Sequence, residues 1–192
     1  MTAPVGLLLA AGRGRRFGST KQLALTPSGL PLVASAFDTI ESVCTAMIVV
    51  TGHDREAVIA ALGERVFTSV EADPDAPMVD SIRAGLRAIR TRDAAASALI
   101  QPADHPDVAA STLRTVLVNA SPDRGVMPEC GGKGGHPVLV PPALFDRILD
   151  EPLPDGLRGL WLADPGSCLR VVVDDATSTQ DVDRRSDLPS GP

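Results

Sequence analysis

Aromatic residues are nearly absent: 192 residues carry one Trp, four Phe and no Tyr. Hydrophobic residues still make up 44% of the chain, so the core must be built from Ala, Val, Leu and Ile. Rows of exposed rings on which single-stranded nucleic acids stack are excluded. A net charge of −6 likewise argues against nucleic acid as the main partner. Cysteine is scarce, and Cys44, Cys130 and Cys168 lie far apart with no Cys-x-x-Cys. That excludes a disulfide framework and a zinc site, and implies free thiols in a reducing cytoplasm. No hydrophobic run approaches a membrane span, so no membrane partner is expected. The apolar run at residues 5–11 is followed, not preceded, by arginines, which is the wrong order for a signal peptide.

Acidic residues are missing from the first 37 positions, the first being Asp38. Within that stretch an apolar strand runs into a loop holding Gly12, Gly14 and Gly18 beside Arg13, Arg15, Arg16 and Lys21. Glycines let backbone N–H groups approach an anion closely, and the cations neutralise it. The simplest occupant is a polyphosphate. Two familiar loops fail on spacing. A P-loop lysine directly follows its glycine, whereas Ser19 and Thr20 separate Gly18 from Lys21. A dinucleotide fingerprint needs Gly or Ala where Phe17 stands, which argues against a nicotinamide-dependent oxidoreductase.

Strand-like and helix-like segments alternate along the chain. Strands are expected at residues 5–10, 47–51, 66–70, 98–101, 138–140 and 168–173. Helices are expected at 31–40, at 54–62 with Asp54 as cap, at 80–90, at 111–118 with Ser111 as cap, and at 142–149. Such an order implies an α/β fold, a Rossmann-like doubly wound, mostly parallel sheet with helices on both faces. A single domain over residues 1–185 is expected, with 186–192 as a frayed tail. Ligands of such sheets bind beyond the carboxyl ends of the strands, where the loops after Ala10 and Gln101 both lie.

Asp104, in Gln101-Pro102-Ala103-Asp104-His105-Pro106, follows a strand and suits either a cap on the following turn or Mg²⁺, which takes one or two carboxylates plus phosphates; the glycine loop beside it favours the metal. His105 is read as lining the turn. Asp183 is the choice for a second carboxylate, with Asp174 and Asp175 as alternatives at another strand end. Four glycines at 131, 132, 134 and 135 precede His136 and Pro137, marking either a closely approached backbone or a tight hairpin-like turn.

The pattern Leu9-x-Ala11-Gly12-x-x-x-Arg16-x-Gly18-x-x-Lys21 resembles the opening signature of the MobA-like NTP transferase family. The Asp104 segment and Asp181-Val182-Asp183 continue the likeness to residue 188. Residues 49–53 and 135–139 draw it toward the molybdenum cofactor cytidylyltransferase branch. The resemblance implies transfer of a nucleoside monophosphate from a nucleoside triphosphate, CTP in that branch, to a phosphorylated acceptor such as molybdopterin, with release of pyrophosphate. It implies nucleotide binding by Leu9, Ala10, Ala11, Gly12, Arg13, Gly14, Lys21 and Ser81. Arg16, Lys21 and Asp104 become catalytic, Asp104 and Asp183 hold Mg²⁺, and Gly135, His136 and Pro137 line the acceptor pocket.

Two departures stand out. Arg184-Arg185 replaces the usual Thr-Pro, and Pro77 occupies a position where glycine is usual. The first motivates a rival class, a non-catalytic nucleotide-binding carrier that hands a cofactor to an apo-enzyme. Sugar phosphates and phospholactate-type acids are further acceptors for the same fold.

Overall fold

The protein is described here by a computed structural model covering residues 2–188. In chain order the elements are β1 (Val5–Ala10), α1 (Leu32–Glu41), β2 (Ala46–Thr51), α2 (Arg55–Leu62), β3 (Thr68–Glu71), α3 (Met78–Arg92), β4 (Ala98–Pro102), α4 (Ala110–Val118), β5 (Gly125–Cys130), β6 (Lys133–Gly134), β7 (Val138–Val140), α5 (Phe145–Asp150), α6 (Gly156–Ala163) and β8 (Cys168–Val172).

The strands form one mixed, mostly parallel sheet in the order β3-β2-β1-β4-β7-β5-β6, with β8 against β5. β1 lies between two parallel neighbours, and every one of its residues is buried, which is why it reads as an unbroken apolar run. On one face Val79, Ile82, Leu86 and Ile89 of α3 pack with Phe145 and Ile148 of α5 against Leu7 and Leu9. On the other, Val33, Phe37 and Ile40 of α1 join Val58, Leu62 and Leu113 against Leu8 and Val49. The alternating side chains of β1 thus supply both cores, as the doubly wound expectation required.

Registry brings the strand ends into line. Ala10 stands beside Thr51, Thr51 beside Glu71, and Leu9 beside Pro102. The loops after β1, β2, β3 and β4 therefore open on one edge of the sheet.

Several boundaries differ from expectation for physical reasons. The segment 142–149 splits into a 3₁₀ turn, Pro142–Leu144, and α5. β5 was hidden from a sequence reading by Pro128 and Glu129, and its proline is accommodated opposite Val171 of β8. β5 and β6 form a hairpin whose two-residue turn is Gly131-Gly132, both with positive φ (58° and 78°). Gly135 is a closely approached backbone, since a Cβ there would collide with the Ser178 carbonyl oxygen, so each expectation holds for part of the glycine cluster. Ser111 does not cap α4. The helix starts at Ala110, and the capping oxygen comes from Asp175, which accepts from Ala109 N at 2.9 Å and Thr112 Oγ1 at 2.6 Å. Asp54 precedes α2 in a left-handed backbone (φ 50°) without a side-chain cap bond; its carboxylate accepts from Thr20 Oγ1 instead.

The described part of the segment expected to be frayed is residues 186–188. Arg185–Asp187 forms a 3₁₀ turn, and Leu188 packs against Phe17, Leu32 and Val182. The remainder of that tail, 189–192, lies outside the described residues.

Candidate active site

The glycine loop is held from below. Gln22, only 5% exposed, donates from Nε2 to the carbonyls of Ala10 (3.0 Å) and Gly12 (2.6 Å). Gly14 has φ +61°, and a Cβ there would lie 2.6 Å from the carbonyl oxygen of Ser19, so the turn requires glycine. Gly12 differs, because a Cβ on it would meet nothing within 4 Å and would project into open space.

Lys21 leaves this loop in a short 3₁₀ turn and reaches two carboxylates. Its Nζ donates to Asp104 Oδ2 at 2.7 Å and to Asp183 Oδ1 at 3.1 Å. Burial opposes the ammonium, yet Asp104 and Asp183 outweigh it and hold the Lys21 pKa above the ordinary lysine value. Burial likewise opposes ionisation of Asp104, but Lys21 and then His105 hold its carboxyl below the usual range. Asp183 is also bonded by Arg16, Nη1 to Oδ2, at 2.5 Å. One oxygen of the group, Asp104 Oδ1, is buried with no hydrogen-bond partner among the described residues. Ligand oxygens of Asp104, Asp181 and Asp183 lie within 4.8 Å of one another. An all-carboxylate donor set with a free oxygen suits a hard divalent cation such as Mg²⁺.

The replacement by Arg184-Arg185 leaves this corner intact. Arg185 lies over the Phe17 ring at 5.3 Å, Val182 packs on the same ring, and Asp187 accepts from the backbone N–H groups of Asp183 and Arg184 at 3.1 and 2.7 Å. Asp175, an alternative for the second carboxylate, is spent on α4 and on Thr177. Burial opposes its charge, but hydrogen bonds from Thr112, Thr177 and Ala109 keep its pKa below the ordinary aspartate value.

Behind Asp104 the rings of His105 and His136 sit with centroids 4.9 Å apart. Burial, then the charge of His105, pushes the His136 pKa down to about 3, and burial also lowers that of His105 against the pull of Asp104. His105 Nε2 stands 3.9 Å from Asp104 Oδ1. Gly135 and His136 are fixed by backbone bonds, Gly135 N to the Pro128 carbonyl and His136 N to the Ser178 carbonyl, both 2.8 Å.

A cleft of about 460 Å³ gathers most of these groups, within the range of small-molecule sites. Leu9, Ala11, Gly12, Arg13, Gly14, Arg16, Lys21, Ser81, Asp104 and Asp183 all line it. Of the residues singled out from sequence, Ala10 lies beneath it with 1% exposure, and Gly135, His136 and Pro137 stand outside its lining. Asp181 and Asp73 line it too and were missed as site residues, although the Asp-x-Asp spacing carried the signal for the first. Also missed was Asp75. It accepts from Arg13 Nε (2.7 Å) and Nη2 (2.6 Å) and from Arg15 Nη2 (2.7 Å), and the Arg13 pairing holds its carboxyl below the usual range.

A glycine loop, a lysine bridging two carboxylates and a cleft at the strand ends thus occur in one place. The family of the MobA-like NTP transferase domain matches residues 6–164. The chain belongs to that family. As a MobA-like protein it is a nucleotidyltransferase by kinship, acting on nucleoside triphosphates. It is 33% identical over 146 residues to the molybdenum cofactor guanylyltransferase of Pseudomonas aeruginosa, covering 74% of this chain and 70% of that protein. A second curated relative, 28% identical over 193 residues and covering 93% and 91% of the two chains, is the nicotine blue oxidoreductase of Paenarthrobacter nicotinovorans. Among solved structures, a nucleotidyl transferase from Methanothermobacter thermautotroptrophicus superposes with TM-score 0.82 at 24% identity, covering 97% and 94%. A Mycobacterium tuberculosis H37Rv protein in complex with manganese superposes with TM-score 0.74 at 22% identity, covering 97% and 96%. These two likenesses establish the shared fold. No helix among the described residues is long and apolar enough to cross a membrane.

Proposed function

We propose that this MobA-like protein transfers a nucleoside monophosphate to a phosphorylated pterin of the molybdopterin type, with release of pyrophosphate. The observation that carries the reading is Lys21 Nζ between Asp104 and Asp183 at the end of a glycine loop. The backbone from Ala11 to Gly14 would cradle the triphosphate, with Arg16 and Lys21 neutralising it and Ser81 at the start of α3 facing the nucleotide. Asp104 and Asp183, joined by Asp181, would hold Mg²⁺. That ion would supply charge stabilisation to the phosphate oxygens as the acceptor attacks the α-phosphorus in line. The residues themselves need form no covalent intermediate; their work is positioning and neutralisation.

The named guanylyltransferases among the relatives favour GTP over the CTP expected from residues 49–53 and 135–139. Gly135, His136 and Pro137 are assigned to the acceptor side, because His136 meets Asp104 through the His105 ring. A cytoplasmic setting, in which the product passes to an apo-enzyme, accords with three free thiols.

The test is a pyrophosphate-release screen of four nucleoside triphosphates with Mg²⁺ or Mn²⁺ against phosphorylated acceptors including molybdopterin, with Asp104→Ala alongside. Release with GTP and molybdopterin that disappears in the variant is the expected result. Tight nucleotide binding without release from any acceptor would favour the carrier reading. NAD(P)H oxidation in place of release would move the chain toward its oxidoreductase relative.

A further inference from the structure

Two arginines of the glycine loop, Arg13 and Arg15, are both occupied by one carboxylate. Asp75, in the loop between β3 and α3, takes a two-pronged contact from Arg13 and a third bond from Arg15. Arg13 and Arg15 line the same cleft as Lys21, and so do Asp73, Pro74 and Ala76 on either side of Asp75. The loop is shaped for this contact, since Asp73 Oδ1 accepts from the backbone N–H of Asp75 at 2.8 Å. Arg13 has a second anchor in His53, Nη1 to Nδ1 at 3.3 Å, which keeps its side chain at the loop when Asp75 lets go.

A guanidinium fork accepts a carboxylate or a phosphate with the same two-pronged geometry. We propose that Asp75 is a placeholder for the β- and γ-phosphates: it holds Arg13 and Arg15 across the cleft and yields them only to a polyphosphate. The inference rests on the reading that the cleft takes a nucleoside triphosphate, and it gives the cleft a basis for choosing one. A triphosphate offers several negative charges in exchange for the one it displaces. A monophosphate has nothing to place at the two arginines and leaves the Asp75 contacts standing. After transfer, the same carboxylate competes with pyrophosphate for the arginines and so favours its release.

Calorimetric titration of inorganic tripolyphosphate, GTP and GMP into the wild type, Asp75→Asn and Asp75→Ser tests this. Both variants are expected to bind tripolyphosphate and GTP about two- to fivefold more tightly, the scale of a half-exposed ion pair, with GMP unchanged. Asp75 is half-exposed, and two substitutions of different size separate loss of the placeholder from a misfolded loop. Unchanged or weaker tripolyphosphate binding in both variants overturns the proposal. So does equal tightening of GMP, or no tripolyphosphate binding to any of the three proteins. Tighter tripolyphosphate binding in a protein that transfers no nucleotide would leave the placeholder standing and remove the transferase reading. Transfer activity without that tightening would do the reverse.

Discussion

The backbone N–H of Val182 donates to the carbonyl of Asp104 at 3.0 Å. This one bond places the Asp181–Asp183 segment beside a carboxylate that is remote in sequence, and the side chain of Val182 locks the arrangement by burying itself on Phe17. Phe17 belongs to the glycine loop. Loop, first carboxylate and second carboxylate are therefore fixed to one another by contacts that involve no ligand.

Lys21 is the charge at the centre of that arrangement. Lys21→Ala is expected to lower kcat roughly a hundredfold to a thousandfold, the scale of removing one preorganised electrostatic contact. Nucleotide affinity should fall by much less, under about tenfold. Single-turnover kinetics beside equilibrium binding make the comparison; equal losses in both would mean that Lys21 binds the ground state and the transition state alike.

Two glycines of the loop should respond oppositely to alanine. Gly14→Ala forces a positive φ and a contact with the Ser19 carbonyl, costing about 2 kcal/mol of stability. Gly12→Ala meets no protein atom, so its melting temperature should stay near that of the wild type while nucleotide affinity drops, because the added methyl enters the cleft. Thermal melts with and without nucleotide check both.

Asp175 should contribute to stability in a pH-dependent way. Its folded pKa lies below the ordinary value of 3.8, so the contribution is fully present above that value. It is lost as pH falls further, through the folded pKa. Asp175→Asn is expected to cost about 1–3 kcal/mol at pH 7, the scale of leaving buried donors poorly paired. Urea titrations from pH 7 downward should show that difference hold steady to about pH 5 and narrow below pH 3.8.

Phe17→Ala should loosen the C-terminal segment before it harms the sheet. The ring is 5% exposed and carries Val182 on one contact and Arg185 on another. Removal of a buried phenylalanine is worth about 3–5 kcal/mol locally. Hydrogen exchange should accelerate over residues 181–188 and remain slow in β1 and β2.

β1, β2 and β4 were legible in the sequence because they are buried on both faces and announce themselves as apolar runs. β7 was legible as well, but β5, β6 and α6 were not. β5 carries Pro128 and Glu129, β6 is a two-residue strand, and α6 follows a proline-rich stretch with no strong cap. Within the cleft, the glycine loop, Lys21, Asp104 and Asp183 could be found because each sits in a spaced pattern. Asp75 lies in a loop whose residues form no pattern, and only the fold brings it within 2.7 Å of Arg15 across 60 positions. Ser111 was misjudged as a cap for a related reason, since the oxygen that serves α4 comes from Asp175, far along the chain.

The late position of Asp183 has a consequence for biosynthesis. A chain emerging from the ribosome can lay down β1 to β4 and both faces of the sheet before its last carboxylate has been made. Until then Lys21 has only Asp104 to pair with, and Phe17 has neither Val182 nor Arg185 to cover it. Premature termination between β8 and Asp183 would therefore release a protein with its sheet complete and its cleft unfinished.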